Sequence, residues 1–357
     1  MKTQSKELDF SNQEFYLGLD VHKRSWTVTI RSNNMALKTF NMNPSALELA
    51  QFMKKRYPLG KYYSVYEAGF SGYGVHRELE SYGFKNIIVS ASSIPTTAKE
   101  KITKTDAVDS RKLARELSNG TIHGIYIPSL LEQEIRSLSR LRYRQVKKRA
   151  RIKNQIKSYL NFYGHQLPKN SEMQHWSRRF IEYLRSLEFN YDIGKEQMDI
   201  YIEELLEIRE KILQILRSLK KYLQQYDKYY IIKLLETVPG VGFIIATTFY
   251  SEIMDIKRFS NNEKFASYIG IVPATSSSGE KESVLGLTFQ FNRYLRSLLI
   301  EASWVAIRKD PALTLAYNKY LTKLSSQKAI VRIAKKLLNR IYYVLKNEKE
   351  YVCSVIE

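Results

Sequence analysis

The chain has 357 residues, 44% of them hydrophobic, which is enough for two or three domains with their own cores. Lysine and arginine number 57 against 36 acidic residues, and this net charge of +21 favours a polyanionic partner, with nucleic acid the leading candidate. The charge is spread along the chain, and because the sequence has no long apolar run, we expect no membrane partner, no signal peptide and a cytoplasmic location. The single cysteine, Cys353, excludes internal disulfides and cysteine-based zinc sites.

The first third of the chain alternates short apolar runs with helical patterns. A helix is predicted to begin at Asn43-Pro44, a cap followed by proline at the first helical position. The order βββαβαβα is that of a ribonuclease-H-like, or RuvC-like, α/β fold, and we assign it to residues 12–125. The predicted strands are 16–20, 25–30, 36–42, 62–66 and 86–90, and the predicted helices are 43–56, 73–82 and 106–117.

Four carboxylates stand on the elements that converge in that fold. Asp20 ends the first strand, Glu67 ends the fourth, and Asp106 and Asp109 share one face of the last helix. Each alone could be an ordinary helix-start or strand-end acid, but four together favour a metal site. Hard oxygen ligands suit Mg²⁺ or Mn²⁺ rather than zinc, which indicates chemistry on phosphodiesters. The five histidines are scattered, and we predict no metal cluster from them.

The middle of the chain, residues 126–228, predicts two long helices in a coiled coil, either antiparallel or between chains. The first, from 130 to 162, has no acidic residue between Arg136 and Lys157, and we expect it to hold nucleic acid by charge. The second has a heptad seam: Tyr201, Leu205, Ile208, Ile212, Ile215, Leu219 and Tyr222. The predicted nucleic-acid contacts on the first helix are Arg136, Arg140, Arg144, Lys147, Lys148 and Arg151.

Residues 229–350 predict a mostly helical third domain. Gly240 and Gly242 lie in a helix–hairpin–helix pattern, in which glycines and the following helix start could contact DNA phosphates. An ordinary tight turn between helices would look the same, and the two interpretations are evenly matched. The serine-rich segment ending at Ser278 is, from its chemistry alone, a flexible linker, because no base or metal ligand stands nearby in sequence.

Taken together, these segments resemble the DEDD transposases of the IS110 insertion-sequence family, to which the Piv-type DNA invertases are related. The resemblance covers nearly the whole chain. It is carried by YLGLDVHK at 16–23, YEAG at 66–69, KTDAVDSRKLA at 104–114, VPGVG at 238–242, FASYIGIVP at 265–273, SSG at 277–279 and NRYLR at 292–296.

The resemblance implies a prokaryotic, nucleoid-associated transposase or recombinase that cuts and exchanges DNA strands. Asp20, Glu67, Asp106 and Asp109 would form its magnesium site, and Ser278 would be the nucleophile, which reverses the linker interpretation. It also implies donor and target DNA, a structured noncoding bridge RNA and a homo-oligomer, from dimer to tetramer, as partners.

One segment departs from the family pattern. Residues 287–291 read LTFQF where the family has basic residues, which places phosphate contacts there in doubt; only Gly286 is kept. The alternative functions are a metal-dependent nuclease or junction resolvase without a covalent serine intermediate, and a nucleic-acid-binding module without catalysis.

Overall fold

The computed structural model describes residues 8–97, 105–278, 281–289 and 291–353; for 273–278 and 281–285 it describes the backbone alone. The chain divides into two compact units, with the boundary between Ile127 and Pro128. Each unit has its own hydrophobic core.

In the described part of the first unit, five strands form one sheet in the order β3-β2-β1-β4-β5. Strands β2 and β3 are antiparallel neighbours in succession from β1, whereas β4 is parallel to β1 and β5 is parallel to β4. This mixed α/β arrangement is consistent with the predicted ribonuclease-H-like fold. The strands are β1 (Glu14–Val21), β2 (Trp26–Ser32), β3 (Met35–Met42), β4 (Lys61–Glu67) and β5 (Lys85–Val89).

The helices of this unit are α1 (Ala46–Arg56), α2 (Gly74–Ser81) and α3 (Asp106–Ser118). The side chains of β1 point alternately to the two faces of the sheet, and each face packs against a different layer. Phe15, Leu17 and Leu19 are buried in a core that α1 also enters. Gly18, on the other face, lies directly beneath α3.

The predicted start of α1 at Asn43-Pro44 is wrong by two residues. Ser45 is the cap: it has extended backbone angles, and its side chain accepts a hydrogen bond from the Glu48 amide at 3.2 Å. Serine followed three residues later by glutamate is a stronger start signal than the proline, which precedes the cap.

Two 33-residue helices dominate the middle of the chain: α4 (Leu130–Phe162) and, after α5 (Arg178–Ser186), α6 (Asp192–Gln224). They run antiparallel within the chain, because Ile135 near the start of α4 shares a core cluster with Leu219 near the end of α6. Near the end of α4, the Tyr159 hydroxyl donates to the Gly194 carbonyl at 2.8 Å.

The predicted seam of α6 is right in its middle and wrong at both ends. Tyr201 is only half-buried and Tyr222 is 55% exposed, whereas Ile202 and Leu223 are buried. The aromatic residues lie beside the buried stripe, because their polar hydroxyls favour its edge.

In the described remainder of the second unit, the regular elements are helices and one hairpin, formed by β6 (Pro273–Ser278) and β7 (Lys281–Leu287). The start of α4 and the end of α6 join these helices in one apolar core. None of the described helices is long and apolar enough to cross a membrane. The helices are α7 (Tyr229–Glu236), α8 (Phe243–Ile253), α9 (Asn262–Ile269), α10 (Arg296–Ala306), α11 (Pro311–Leu321) and α12 (Ser326–Asn347).

Candidate active site

Strand pairing places Asp20 and Glu67 at the same end of the sheet. Strands β1 and β4 are parallel and in register from Glu14 onward, with Leu19 opposite Tyr66. Asp20 and Glu67 are the next residues on these two strands. Neighbouring parallel strands keep the same alternation of side chains, so both carboxylates belong to the same face of the sheet.

Helix α3 brings a third acid to this edge. Thr105 caps the helix by accepting a hydrogen bond from the Val108 amide at 3.3 Å, which makes Asp106 its first residue. One ligand atom each from Asp20, His22 and Asp106 lies within 4.8 Å of the other two. The His22 Nε2 atom is 3.3 Å from Asp20 Oδ2 and 3.8 Å from Asp106 Oδ1.

Gly18 allows α3 to lie this close to β1. A Cβ atom at this position would be 2.0 Å from the Ser110 carbonyl oxygen and 2.4 Å from the Ala114 amide nitrogen, both on α3. A buried hydrogen bond of 2.8 Å between the hydroxyls of Thr29 and Ser110 fixes the same contact. The first turn of α3 therefore lies over the strand end that carries Asp20.

The Asp20 carboxyl is in an environment that disfavours its charge. Burial is the main cause that raises its pKa, and the negative charges of Asp106 and Asp109 raise it further, while His22 opposes them. A bound cation would remove this penalty, because a positive charge stabilises the ionised carboxylate. The edge is thus electrostatically suited to a divalent ion.

The other two predicted ligands are nearby but are held differently. Glu67 is exposed at the end of β4. Asp109 accepts a hydrogen bond from the Lys112 ammonium at 2.9 Å, and Lys112 is largely buried. Among the described side chains, the compact group therefore contains two of the four predicted acids, together with His22.

Ser278 lies at the end of a strand, which makes the linker interpretation of this segment wrong. In the backbone register of the hairpin, Ser278 is opposite Lys281 and Ser277 is opposite Glu282. The two residues between the strands, Gly279 and Glu280, are outside the described part of the chain. A paired strand gives the serine a defined backbone position that a linker would not provide.

The buried residue Glu252 holds both ends of this hairpin, one through its side chain and the other through its backbone. It is 1% exposed, and it accepts two hydrogen bonds from Arg140, at 2.6 and 2.8 Å, and one from the Asn292 side-chain amide at 3.0 Å. The Tyr268 hydroxyl donates to the Glu252 carbonyl at 3.1 Å. Since Tyr268 precedes β6 and Asn292 follows β7, the side chain and the backbone of this one residue tie the base of the hairpin to α4.

Two family models match the chain, and they cover the two regions just described. The first, a transposase model of the IS110 DEDD type, matches residues 17–165 and contains all four predicted acids. The second, described as the transposase IS116/IS110/IS902 family, matches residues 232–318 and contains the serine hairpin. The chain belongs to the IS110 family of transposases.

Curated relatives support this assignment. The transposase for insertion sequence element IS1328 of Yersinia enterocolitica is 23% identical over 92% of this chain and 96% of its own length. The transposase for insertion sequence element IS1111A of Coxiella burnetii is 25% identical over 78% of this chain and 76% of its own length. The y4qE protein of Sinorhizobium fredii is 27% identical, but the match spans only 58% of its length. As a family member, the chain is a DNA transposase.

The two glycines of the α7–α8 turn in this IS110 transposase have different surroundings. Gly240 has a φ of +85°, and a Cβ atom there would be 2.3 Å from the Ala302 carbonyl oxygen on α10. Its small size therefore serves the packing of two helices. Gly242 caps α8, and nothing lies within 4 Å of its Cβ position. Of the two, Gly242 has the open position that a phosphate contact requires.

The predicted nucleic-acid contacts on the basic helix α4 of this transposase fall into two groups, one bonded within the second unit and one exposed. Arg136 is buried and donates to the Ser251 carbonyl at 2.8 Å, and Arg140 is bound to Glu252. These two predicted nucleic-acid contacts therefore have partners inside the second unit. The other four predicted contacts, Arg144, Lys147, Lys148 and Arg151, are exposed.

Two residues that matter for this geometry escaped sequence reasoning. The first is His22, which sequence analysis gave no ligand role; it belongs to the group that could hold a metal ion, and it could have been found from its spacing of two residues after Asp20. Glu252 had a different signal. It is an acid near the end of the apolar helix α8, where an ionised side chain needs a partner.

Proposed function

We propose that this transposase cuts and rejoins DNA through a covalent serine intermediate, with its acidic edge binding a divalent metal ion. The observation that carries the proposal is the grouping of Asp20, His22 and Asp106 within 4.8 Å at the sheet edge. Family membership adds the second part, since the matched models include both the acids and the serine hairpin.

The donor set fits a small divalent cation. Two carboxylates and one imidazole offer hard and borderline ligands, which suit Mg²⁺ and, with the imidazole, Mn²⁺. Burial raises the pKa of Asp20, so a bound cation would stabilise the ionised form of this carboxylate. Glu67 and Asp109 would complete the set. Such an ion, when bound, stabilises negative charge that develops on a phosphodiester.

The chemical step belongs to Ser278. Its oxygen forms a bond to the phosphorus, and the bond from phosphorus to the leaving sugar oxygen breaks. The serine hydroxyl loses its proton to a base or water, and the leaving oxygen gains one. The phosphate remains a diester, now with the protein, and the reverse step with another strand's hydroxyl rejoins DNA without an external energy source.

Nucleic-acid contact is assigned to the exposed cations Arg144, Lys147, Lys148 and Arg151 and to the open turn at Gly242. A structured noncoding RNA would select the DNA sites by base pairing, so that the protein itself needs few base contacts. This part of the proposal rests on the resemblance to the family and on the charge of α4. A labelled transcript of the noncoding DNA beside the gene tests it by retention on the protein in competition with unrelated RNA.

A denaturing gel of protein mixed with labelled donor DNA and Mg²⁺ or Mn²⁺ tests the covalent step. We expect a protein–DNA adduct with the wild type, none with Ser278→Ala, and an undiminished amount with the neighbouring control Ser277→Ala. An adduct that survives Ser278→Ala would refute this nucleophile. Metal-dependent cutting by the wild type without any adduct would instead identify a nuclease in which water attacks.

A further inference from the structure

Helix α4 has a second basic face, distinct from the exposed cations assigned above. The cations on this face recur at helical spacing. Two of them lie near a tryptophan in the segment before α5, and a cation on α6 is bonded to the same tryptophan. We refer to these residues as the Trp176 cluster: Arg142, Arg149, Lys153, Lys157, Arg209 and Trp176.

The cluster is organised around Trp176. Arg209 donates a hydrogen bond to the Trp176 carbonyl. The Lys153 ammonium is 4.9 Å from the centre of the Trp176 ring, and that of Lys157 is 6.0 Å from it. Trp176 has a φ of +68°, a conformation that is rare for a large side chain and persists only when its surroundings hold it. The cations therefore have a built, defined arrangement.

No carboxylate among the described residues forms an ion pair with these cations. In the described part of the chain, none of the five is within salt-bridge distance of an acid. Burial lowers the pKa of Lys153, and Arg149, Arg209 and Lys157 lower it further. The pKa values of Arg142 and Arg209 are lowered by burial and by Arg149. Like charges that are partly buried together are unfavourable unless an anion joins them.

The other side of α4 provides the contrast. Lys148 and Arg151 line a groove to which α6 contributes Glu204 and Glu207, and Glu207 is paired there with Lys211 at 3.0 Å. On the Trp176 side, α6 contributes Arg209 instead. The two helices thus contribute acids and bases to the groove, whereas the charges that act on Lys153 are all positive.

We propose that the Trp176 cluster binds the phosphodiester backbone of a nucleic-acid strand, as a second contact surface of this transposase. From residue 142 to residue 157 the helix rises roughly 22 Å at about 1.5 Å per residue, more than a single phosphate can contact. A chain of phosphates matches a row of cations of this length. The inference rests on the proposed function in one respect, that the protein works on nucleic acid.

The dependence of affinity on salt tests this surface directly. Each lost phosphate contact lowers the slope of log K against log salt by about 0.9 for duplex DNA and about 0.7 for a single strand. For the double variant Lys153→Gln/Lys157→Gln, we therefore expect a slope smaller by roughly 1.8 with a labelled DNA duplex, or roughly 1.4 with a labelled single-stranded RNA. A smaller slope with either probe supports the site and identifies whether it binds duplex DNA or single-stranded RNA.

Two further variants make the result specific. Arg217→Gln/Lys233→Gln removes the same charge from exposed residues that pair with Glu210 and Glu236, and we expect its slope to equal that of the wild type. Lys153→Arg/Lys157→Arg keeps the charge and should keep the slope. Equal slopes for the Lys153→Gln/Lys157→Gln variant and the control would overturn the inference, with thermal unfolding confirming that both are folded. No nucleic-acid binding by the wild type would instead refute the proposed function.

Discussion

The acidic edge and the serine hairpin are held by opposite means. The acids are positioned by regular structure, because the parallel strands in register and the helix packed on Gly18 fix the backbone positions of these residues. The hairpin is a two-stranded element, which is marginal alone. Its ends are held by polar side chains that meet at one buried residue: Arg140 and Asn292 bind the Glu252 carboxylate, and Tyr268 binds the Glu252 backbone carbonyl. The first arrangement is stabilised by backbone packing, and the second depends on a few hydrogen bonds.

This contrast predicts that the acidic edge fails when packing is disturbed. Gly18→Val should have the largest effect on stability, because the new side chain meets helix backbone that cannot move aside. We expect a loss of more than about 4 kcal/mol in the free energy of unfolding, or no folded first unit at all. Gly74→Ala is the matched control, since its Cβ position is open. Thermal and denaturant unfolding measure both, and a stable Gly18→Val protein would contradict the packing account.

The hairpin should fail instead when its polar anchor is changed. Glu252→Gln leaves Arg140 without its carboxylate, and we expect a loss of about 2–3 kcal/mol, below the full value for a buried pair because Arg140 is partly exposed. The protein–DNA adduct should decrease strongly while Mn²⁺ binding at the acidic edge is retained. Glu263→Gln, which removes an exposed pair with Lys335, should cost about 0.5 kcal/mol or less. A Glu252→Gln variant with wild-type adduct yield would show that the anchor does not position the serine.

Asp106→Asn should affect chemistry without affecting the fold. The side chain is 61% exposed, so we expect a change of at most about 0.5 kcal/mol in stability. Mn²⁺ binding, measured by calorimetry, should be lost together with the adduct. Asp192→Asn, another acid in the first turn of a helix, is the control and should retain both. Tight Mn²⁺ binding by Asp106→Asn would exclude Asp106 from the metal site.

The smallest expected effect concerns pH. The pKa of Asp20 is raised in the folded protein above the ordinary value of 3.8. At pH values between 3.8 and the raised pKa, the folded state therefore binds more protons than the unfolded state. Stability without metal should therefore decrease slightly as pH rises from 3.8 through the raised pKa. Asp20→Asn should remove this decrease and also the rise in Tm on adding Mn²⁺ at neutral pH. A Tm rise with Mn²⁺ in that variant would contradict the role of Asp20.

The acidic edge could be predicted from the sequence far better than the rest of the site. Register follows from alternating apolar runs, so Asp20, Glu67 and Asp106 could be placed on neighbouring elements from the sequence alone. Ser278 could not be placed, because serines carry little conformational signal and its pairing with β7 is decided across a turn. The hydrogen-bond partners of Arg136 and Arg140 could not be predicted either, because these partners lie on α8, more than one hundred residues away in the chain.

Helix α4 has a mechanical consequence for the transposase. It is one continuous rod of 33 residues, roughly 50 Å long at about 1.5 Å per residue. Arg140 near one end is bound to Glu252, while Lys153 and Lys157 are close to the other end. If this helix tilts, either the base of the serine hairpin moves with it or the pair between Arg140 and Glu252 breaks. A partner bound at the far end of α4 would therefore affect the position of Ser278, the proposed nucleophile.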